Sequence, residues 1–174
     1  MSLIILFGLP GTGKTYVGKV FEKYFNCYFY DGDNDLTNEM KKAIKTKTVF
    51  TDQMRDVYFK MLISKIQNLL AQASLKSKIK NLVVAQTFIK EKYRIELHKK
   101  IPETKFVLVE AKKEIREKRL MERVDYPLDL EYARKMEKNF EIPKIDYLII
   151  TNNINGVEEI KRQIILINQD HSFS

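Results

Sequence analysis

Short apolar runs alternate along the chain with longer stretches of helical period. Five runs, at 3–7, 27–30, 82–85, 106–109 and 147–150, are almost unbroken in apolarity and rich in β-branched or aromatic residues. Strands covered on both faces read this way. Between them, apolar positions recur every three or four residues. The stretch after residue 13 brings Val17, Val20, Phe21, Tyr24 and Phe25 to one helical face. A longer period from about 52 to 74 predicts a helix with Met54, Val57, Tyr58, Met61, Leu62, Ile66, Leu69, Leu70 and Ala73 as its stripe and Thr51 as its N-cap. Further helices are expected over 91–99, 112–123, 130–140 and 157–168. This alternation predicts a three-layer α/β/α architecture, with a five-stranded parallel sheet wrapped by about seven helices.

Composition narrows the picture. At 174 residues, with 44% hydrophobic and 31% charged, the chain suits one globular domain over 1–174. No apolar run approaches the roughly 20 residues of a membrane helix. The stretch 2–7 is too short, and lacks the basic leader, to read as a signal peptide. Cys27 is the single cysteine and lies in an aromatic run, so it is expected to be a buried thiol in a cytoplasmic protein. The net charge is +8, but basic residues are interleaved with glutamates, as over 112–119, in the manner of a solvated helix face. Neither a nucleic-acid nor a membrane partner is expected; small anionic ligands are the better use of the excess charge. Monomer and homodimer are both compatible with the sequence.

Candidate chemistry begins at Gly8-Leu9-Pro10-Gly11-Thr12-Gly13-Lys14-Thr15, a Gly-x-x-x-x-Gly-Lys-Thr motif placed between the first strand and the first helix. In that context it reads as a phosphate-binding loop. Gly11 and Gly13 let backbone N–H groups turn toward phosphate oxygens without Cβ clashes, Pro10 and Thr12 complete the expected nucleotide-binding loop, and the helix start adds positive potential. Lys14 is expected to reach the β- and γ-phosphates of ATP, and the Thr15 hydroxyl to ligate Mg²⁺. The sequence has no Asn-Lys-x-Asp guanine signature and is too short for a motor or AAA-type ATPase.

The second strand runs into Asp31-Gly32-Asp33-Asn34, at the strand end where a parallel sheet gathers ligands. Phosphoryl transfer needs one group to accept the acceptor's proton and another to position Mg²⁺; Asp31 and Asp33 can divide those tasks. The third strand ends in Ala85-Gln86-Thr87, without the acid many phosphate-loop enzymes place there. That shifts the metal task toward Thr15 and the Asp31/Asp33 pair, with Asp31 the expected metal residue of the two. His98 and His171 stand alone and show no metal-ligand spacing.

These elements resemble those of bacterial gluconate kinases, within the shikimate-kinase-like group. Thr51-Asp52-Gln53-Met54-Arg55 matches that family's Thr-Asp-x-x-Arg, and Lys90, Tyr93 and Arg94 match its Ala-Leu-Lys-x-x-Tyr-Arg. Arg119 and Arg123, four apart, match its lid arginines, and Pro143 its last proline. The resemblance implies a P-loop NTPase fold with a mobile lid at about 119–130. It also implies transfer of the γ-phosphate of ATP to a small acceptor. Asp33, Arg55, Lys90 and Arg94 are expected to bind an anionic acceptor, a use that suits their charge. Two departures bear on the acceptor: Leu36-Thr37 replaces the family's His-Pro, and Asp125-Tyr126-Pro127 its Gly-His-Phe. The stretches Asp31-Gly32-Asp33-Asn34 and Phe88-Ile89…Tyr93-Arg94 are similar to those of adenylylsulfate kinases. A nucleotide-linked acceptor, adenylylsulfate or cytidine diphosphoramidate, therefore stands beside a sugar acid.

Arg119 or Arg123 is expected to offset charge on the transferring phosphate as the lid closes. Pro127 ends the helix before it, and Asp129 can cap the next one. Asn152, after the fifth strand, is expected either to line the adenine pocket or to belong to an ordinary polar turn. Two rival readings remain: a nucleotide-binding module without catalysis, and an ATPase partnered with nucleic acid.

Overall fold

The computed structural model describes residues 2–74, 81–122 and 130–169. Its strands are β1 (Ser2–Phe7), β2 (Cys27–Asp31), β3 (Asn81–Ala85), β4 (Lys105–Glu110) and β5 (Leu148–Thr151). They pair in parallel in the order β2-β3-β1-β4-β5. The helices are α1 (Lys14–Phe25), α2 (Asn38–Lys45), α3 (Asp52–Ser74), α4 (Glu91–Lys100), α5 (Lys113–Met121), α6 (Leu130–Lys138) and α7 (Val157–Gln169). A 3-10 turn, Gly32–Asp35, follows β2 directly.

Each central strand divides its side chains between two cores, as the two-residue period of a pleated strand requires. Leu3, Ile5 and Phe7 of β1 face a cluster that includes Leu62, Ile66 and Leu97 from α3 and α4. Ile4 and Leu6 face Val17 and Phe21 of α1 and Ile160 and Ile164 of α7. Helices therefore cover both faces, which is why the strands read as unbroken apolar runs. Cys27 is buried in the second cluster, as expected.

Two helical stripes are narrower than the periodicity suggests. In α3 the buried face centres on Tyr58, Phe59, Leu62, Ile63 and Ile66, whereas Val57 and Met61 are exposed. Tyr24 of α1 is likewise exposed. The side chain of Ala73 lies outside the described residues. The Thr51 cap is present: its Oγ1 accepts from the Met54 N–H at 3.2 Å. Helix α2, absent from the pattern-based reading, is capped by Thr37 and anchored by Met40 and Ala43. Among the described residues, no helix is long and apolar enough to cross a membrane.

Candidate active site

The loop after β1 passes straight into α1, whose first residue is Lys14. Gly11 and Gly13 hold φ of 81° and 89°, a region that side-chain-bearing residues avoid. Their surroundings exclude a side chain as well. A Cβ on Gly13 would lie 2.2 Å from Asn152 Nδ2, and one on Gly11 would lie 2.6 Å from the Arg116 carbonyl oxygen. Lys14 Nζ donates to the carbonyls of Gly8 and Leu9 at 2.9 and 3.0 Å. Thr12 is buried, and its hydroxyl donates to the Leu9 carbonyl at 3.0 Å, so it holds the turn from within. Pro10, Gly11, Gly13, Lys14 and Thr15 line one cavity at the carboxyl ends of the strands.

The two aspartates meet the loop from β2. Thr15 Oγ1 donates to Asp31 Oδ2 at 2.8 Å, which joins the two expected metal-binding residues. Asp31 Oδ1 accepts from the Asp33 N–H at 3.1 Å and caps the 3-10 turn, aiming Asp33 into the same cavity. A network that was not legible in the sequence then fixes Asp33. Gln86 Nε2 donates to Asp33 Oδ1 at 3.1 Å and to the Tyr58 hydroxyl, which donates in turn to the Gly32 carbonyl at 2.9 Å. The Gln86 side-chain oxygen Oε1 accepts from the Thr87 N–H at 2.6 Å. Burial, followed by the Asp33 charge, pushes the Tyr58 phenol well above its ordinary range, so it stays a donor.

The expected acceptor-side cations separate. Arg55 lines the cavity with its side chain 7% exposed and pairs through Nη1 with Asp52, itself 69% exposed, at 3.1 Å. Arg94 and Lys90 are not brought to the cavity wall. Arg94 is wholly buried; it donates to Glu91 Oε2 at 2.5 Å and to the Phe88 and Glu141 carbonyls at 2.7 Å each. Lys90 Nζ pairs with Glu141 at 3.0 Å. Glu91 completes the brace by accepting from the Lys144 and Ile145 N–H groups. These residues tie the start of α4 to the chain entering β5. The Glu141 carboxyl sits below its ordinary value, chiefly because the Glu91 N–H donates to it.

On the opposite wall, Arg119 of α5 donates through Nη1 to the Gly11, Thr12 and Asn152 carbonyls at 3.3, 3.3 and 2.9 Å. Its burial lowers its pKa. Arg123, Pro127 and Asp129 lie outside the described residues. Arg116–Glu137 and Arg134–Glu117 ion pairs, at 2.9 and 3.0 Å, hold α5 against α6. Asn152 is buried behind the loop, donating to the Thr12 carbonyl at 3.0 Å and to Asn155 Oδ1 at 2.9 Å. From that turn it is Asn155, beside Tyr16, that reaches the cavity.

No family model matches the chain. A curated shikimate kinase from Thiobacillus denitrificans is 38% identical over 47 residues, 27% of this chain and 25% of that protein. The chain thus matches about a quarter of that relative's length. Among solved structures, a sugar kinase from Janibacter sp. HTCC2649 has a TM-score of 0.77 at 16% identity, covering 100% of this chain and 98% of the other. A gluconokinase from Sinorhizobium meliloti scores 0.70 at 18% identity over 98% of each chain. An APS kinase from Mycobacterium tuberculosis, solved with AMPPNP and APS, scores 0.61 at 19%, over 96% and 97% of the two chains. The similarity spans whole chains at identities that carry fold alone. The chain has the three-layer, parallel-sheet fold of the P-loop kinases.

Proposed function

We propose that the chain is an ATP-dependent kinase that phosphorylates a hydroxyl of a small anionic acceptor. One observation carries this reading: Lys14, Thr15, Asp31, Asp33 and the buried Arg55 all line a single cavity. A nearly buried guanidinium whose described partner is one exposed carboxylate is best satisfied by a further anion, which the acceptor supplies. The acceptor hydroxyl oxygen attacks the γ-phosphorus, the bond to the β,γ-bridging oxygen breaks, and ADP leaves. Asp33 takes the hydroxyl proton, held in orientation by Gln86. Lys14 and Arg119, with Arg123 as the expected second lid arginine, offset the charge on the phosphates.

The Thr15 hydroxyl and Asp31 carboxylate fit Mg²⁺. Both are hard oxygen donors 2.8 Å apart, and this ion is commonly held by one or two protein oxygens plus phosphates and water. Such an ion would draw charge from the β- and γ-phosphate oxygens. Lys90 and Arg94 serve the site at one remove, by bracing the turn that carries Phe88 and Ile89.

Transfer of label from γ-labelled ATP across a panel of hydroxylated anions tests the proposal. Lys14→Ala and Asp33→Asn should each lower turnover by about 10²-fold or more while the circular dichroism spectrum stays that of the parent. Full activity in either variant removes its assigned role. ATP binding without transfer to any acceptor favours the non-catalytic module.

A further inference from the structure

We infer that the acceptor carries a flat apolar body, an aryl or nucleobase ring, and is not a polyhydroxylated acid. The inference rests on the kinase reading for the identity of the site and on wall chemistry for the class of ligand. Charged and amide groups occupy only one part of the cavity. Among the described residues that line it, they come from the 8–15 loop, Asp31 and Asp33, Arg55, Gln86, Arg119 and Asn155. None comes from α2 or α6, which close the acceptor side. Those walls are Met40 and Ile44 of α2, Phe50 ahead of α3, Phe88 after β3, and Tyr132 and Met136 of α6.

The walls are packed firmly and keep appreciable exposed surface at two positions. Met40, Phe88, Tyr132 and Met136 are all at least nine-tenths buried, whereas Ile44 and Phe50 are half-buried. The rings of Phe50 and Tyr132 meet edge to face, with centroids 6.0 Å apart and planes at 66°. A sugar acid placed here would turn several hydroxyls toward a surface that is mostly methyl, thioether and ring carbon, with the Tyr132 hydroxyl as the polar atom of α6. Each hydroxyl that loses water without gaining a partner weakens binding by about tenfold. A flat ring reverses that balance: its faces carry no polar group to satisfy, they pack well on aromatic edges and faces, and they suit adaptable methionine side chains, while any polar edge points toward the open side of the cavity. The ligand that fits has three parts: an anionic group at Arg55, a hydroxyl at Asp33 and a ring laid against the half-buried Ile44 and Phe50. Aryl hydroxy acids and nucleotides share that chemistry.

The test titrates the ADP-loaded protein, so that the 8–15 loop is occupied. The probes are the 5′-monophosphates of adenosine, cytidine, guanosine and uridine, together with 3-phenyllactate, gluconate and shikimate. A ring-bearing probe should bind saturably and at least tenfold more tightly than gluconate or shikimate. Whether a nucleotide or phenyllactate does so identifies the source of the ring. Phe50→Ala should weaken that probe about tenfold with ADP affinity unchanged. Should this variant lose ADP binding too, Ile44→Ser gives the same comparison at another half-buried wall position. Equal or tighter binding of gluconate or shikimate, or no binding of any ring-bearing probe, overturns the inference. So does ring binding that neither substitution weakens. Label transfer from ATP is then measured for the probe that binds. Wall-dependent binding without transfer overturns the kinase reading and supports the ring assignment.

Discussion

Gln86 directly follows β3, at a position where many phosphate-loop enzymes carry an acid, and here it holds one in place. Its amide spans Asp33 and Tyr58, and its side-chain oxygen is fixed by the Thr87 N–H. Replacing it with leucine removes both donors at nearly constant volume. Gln86→Leu should lower kcat about tenfold and leave the KM for ATP within twofold, because Asp33 loses its orientation while the 8–15 loop is untouched. Gln86→Glu should act differently. A carboxylate facing Asp33 disfavours its charged form, so the acid limb of the pH–rate profile should move to higher pH. A profile that keeps its position would show that Asp33 is not the group being titrated. Nothing in the sequence marked Gln86, since a lone glutamine carries no charge signal and its partners are 28 and 53 positions away. The placement of Asp31 and Asp33 beside the 8–15 loop was legible because both stand at the carboxyl end of a strand in a parallel sheet.

At the scale of elements, the brace between the start of α4 and the entry to β5 is the clearest case of burial overriding a residue-level reading. Arginine is normally exposed, so Arg94 reads as available for a ligand. Its complete burial instead makes it a structural cation whose carboxylate and carbonyl partners need it. Arg94→Met should cost about 3–5 kcal/mol in urea denaturation by leaving Glu91 buried without its cation. Arg94→Lys should recover little, because a lysine cannot reproduce the fork of donors. Glu141 adds a pH dependence to the same brace. Its folded pKa lies below the ordinary value of 4.5, so the stability it contributes is complete above that value and is lost as pH falls through the depressed one. Glu141→Gln should flatten the acid side of the stability curve, measured as melting temperature against pH, while leaving the neutral side nearly parallel to the parent. The strands were legible because two covered faces leave an unbroken apolar signature. Helix α2 was not, since only Met40 and Ala43 of its eight residues are buried and so short a period carries little signal. The stripe of α3 was drawn too wide because Val57 and Met61 are apolar yet exposed, as single surface residues often are.

At the scale of the whole molecule, the site is assembled from every part of the sheet. The loop comes from β1, the aspartates from β2, Gln86 from β3, Arg119 from the helix after β4 and Asn155 from the turn after β5. The position of β1 has a consequence for how such a molecule comes into being. Synthesised first, β1 is flanked on both edges by strands made much later, with Ser2 opposite Asn81 and Ile4 opposite Lys105. Such pairings are rewarded only after a long loop has closed, which slows folding. The 8–15 loop hangs from that strand, so its shape is expected to be set only when β3 and β4 dock on either side. ATP should therefore meet a finished sheet and act as a lock instead of a template. In stopped-flow experiments, saturating Mg·ATP should slow unfolding by tenfold or more and change the refolding rate by less than twofold. A nascent chain would then gain nothing from the cell's ATP until both β3 and β4 had left the ribosome.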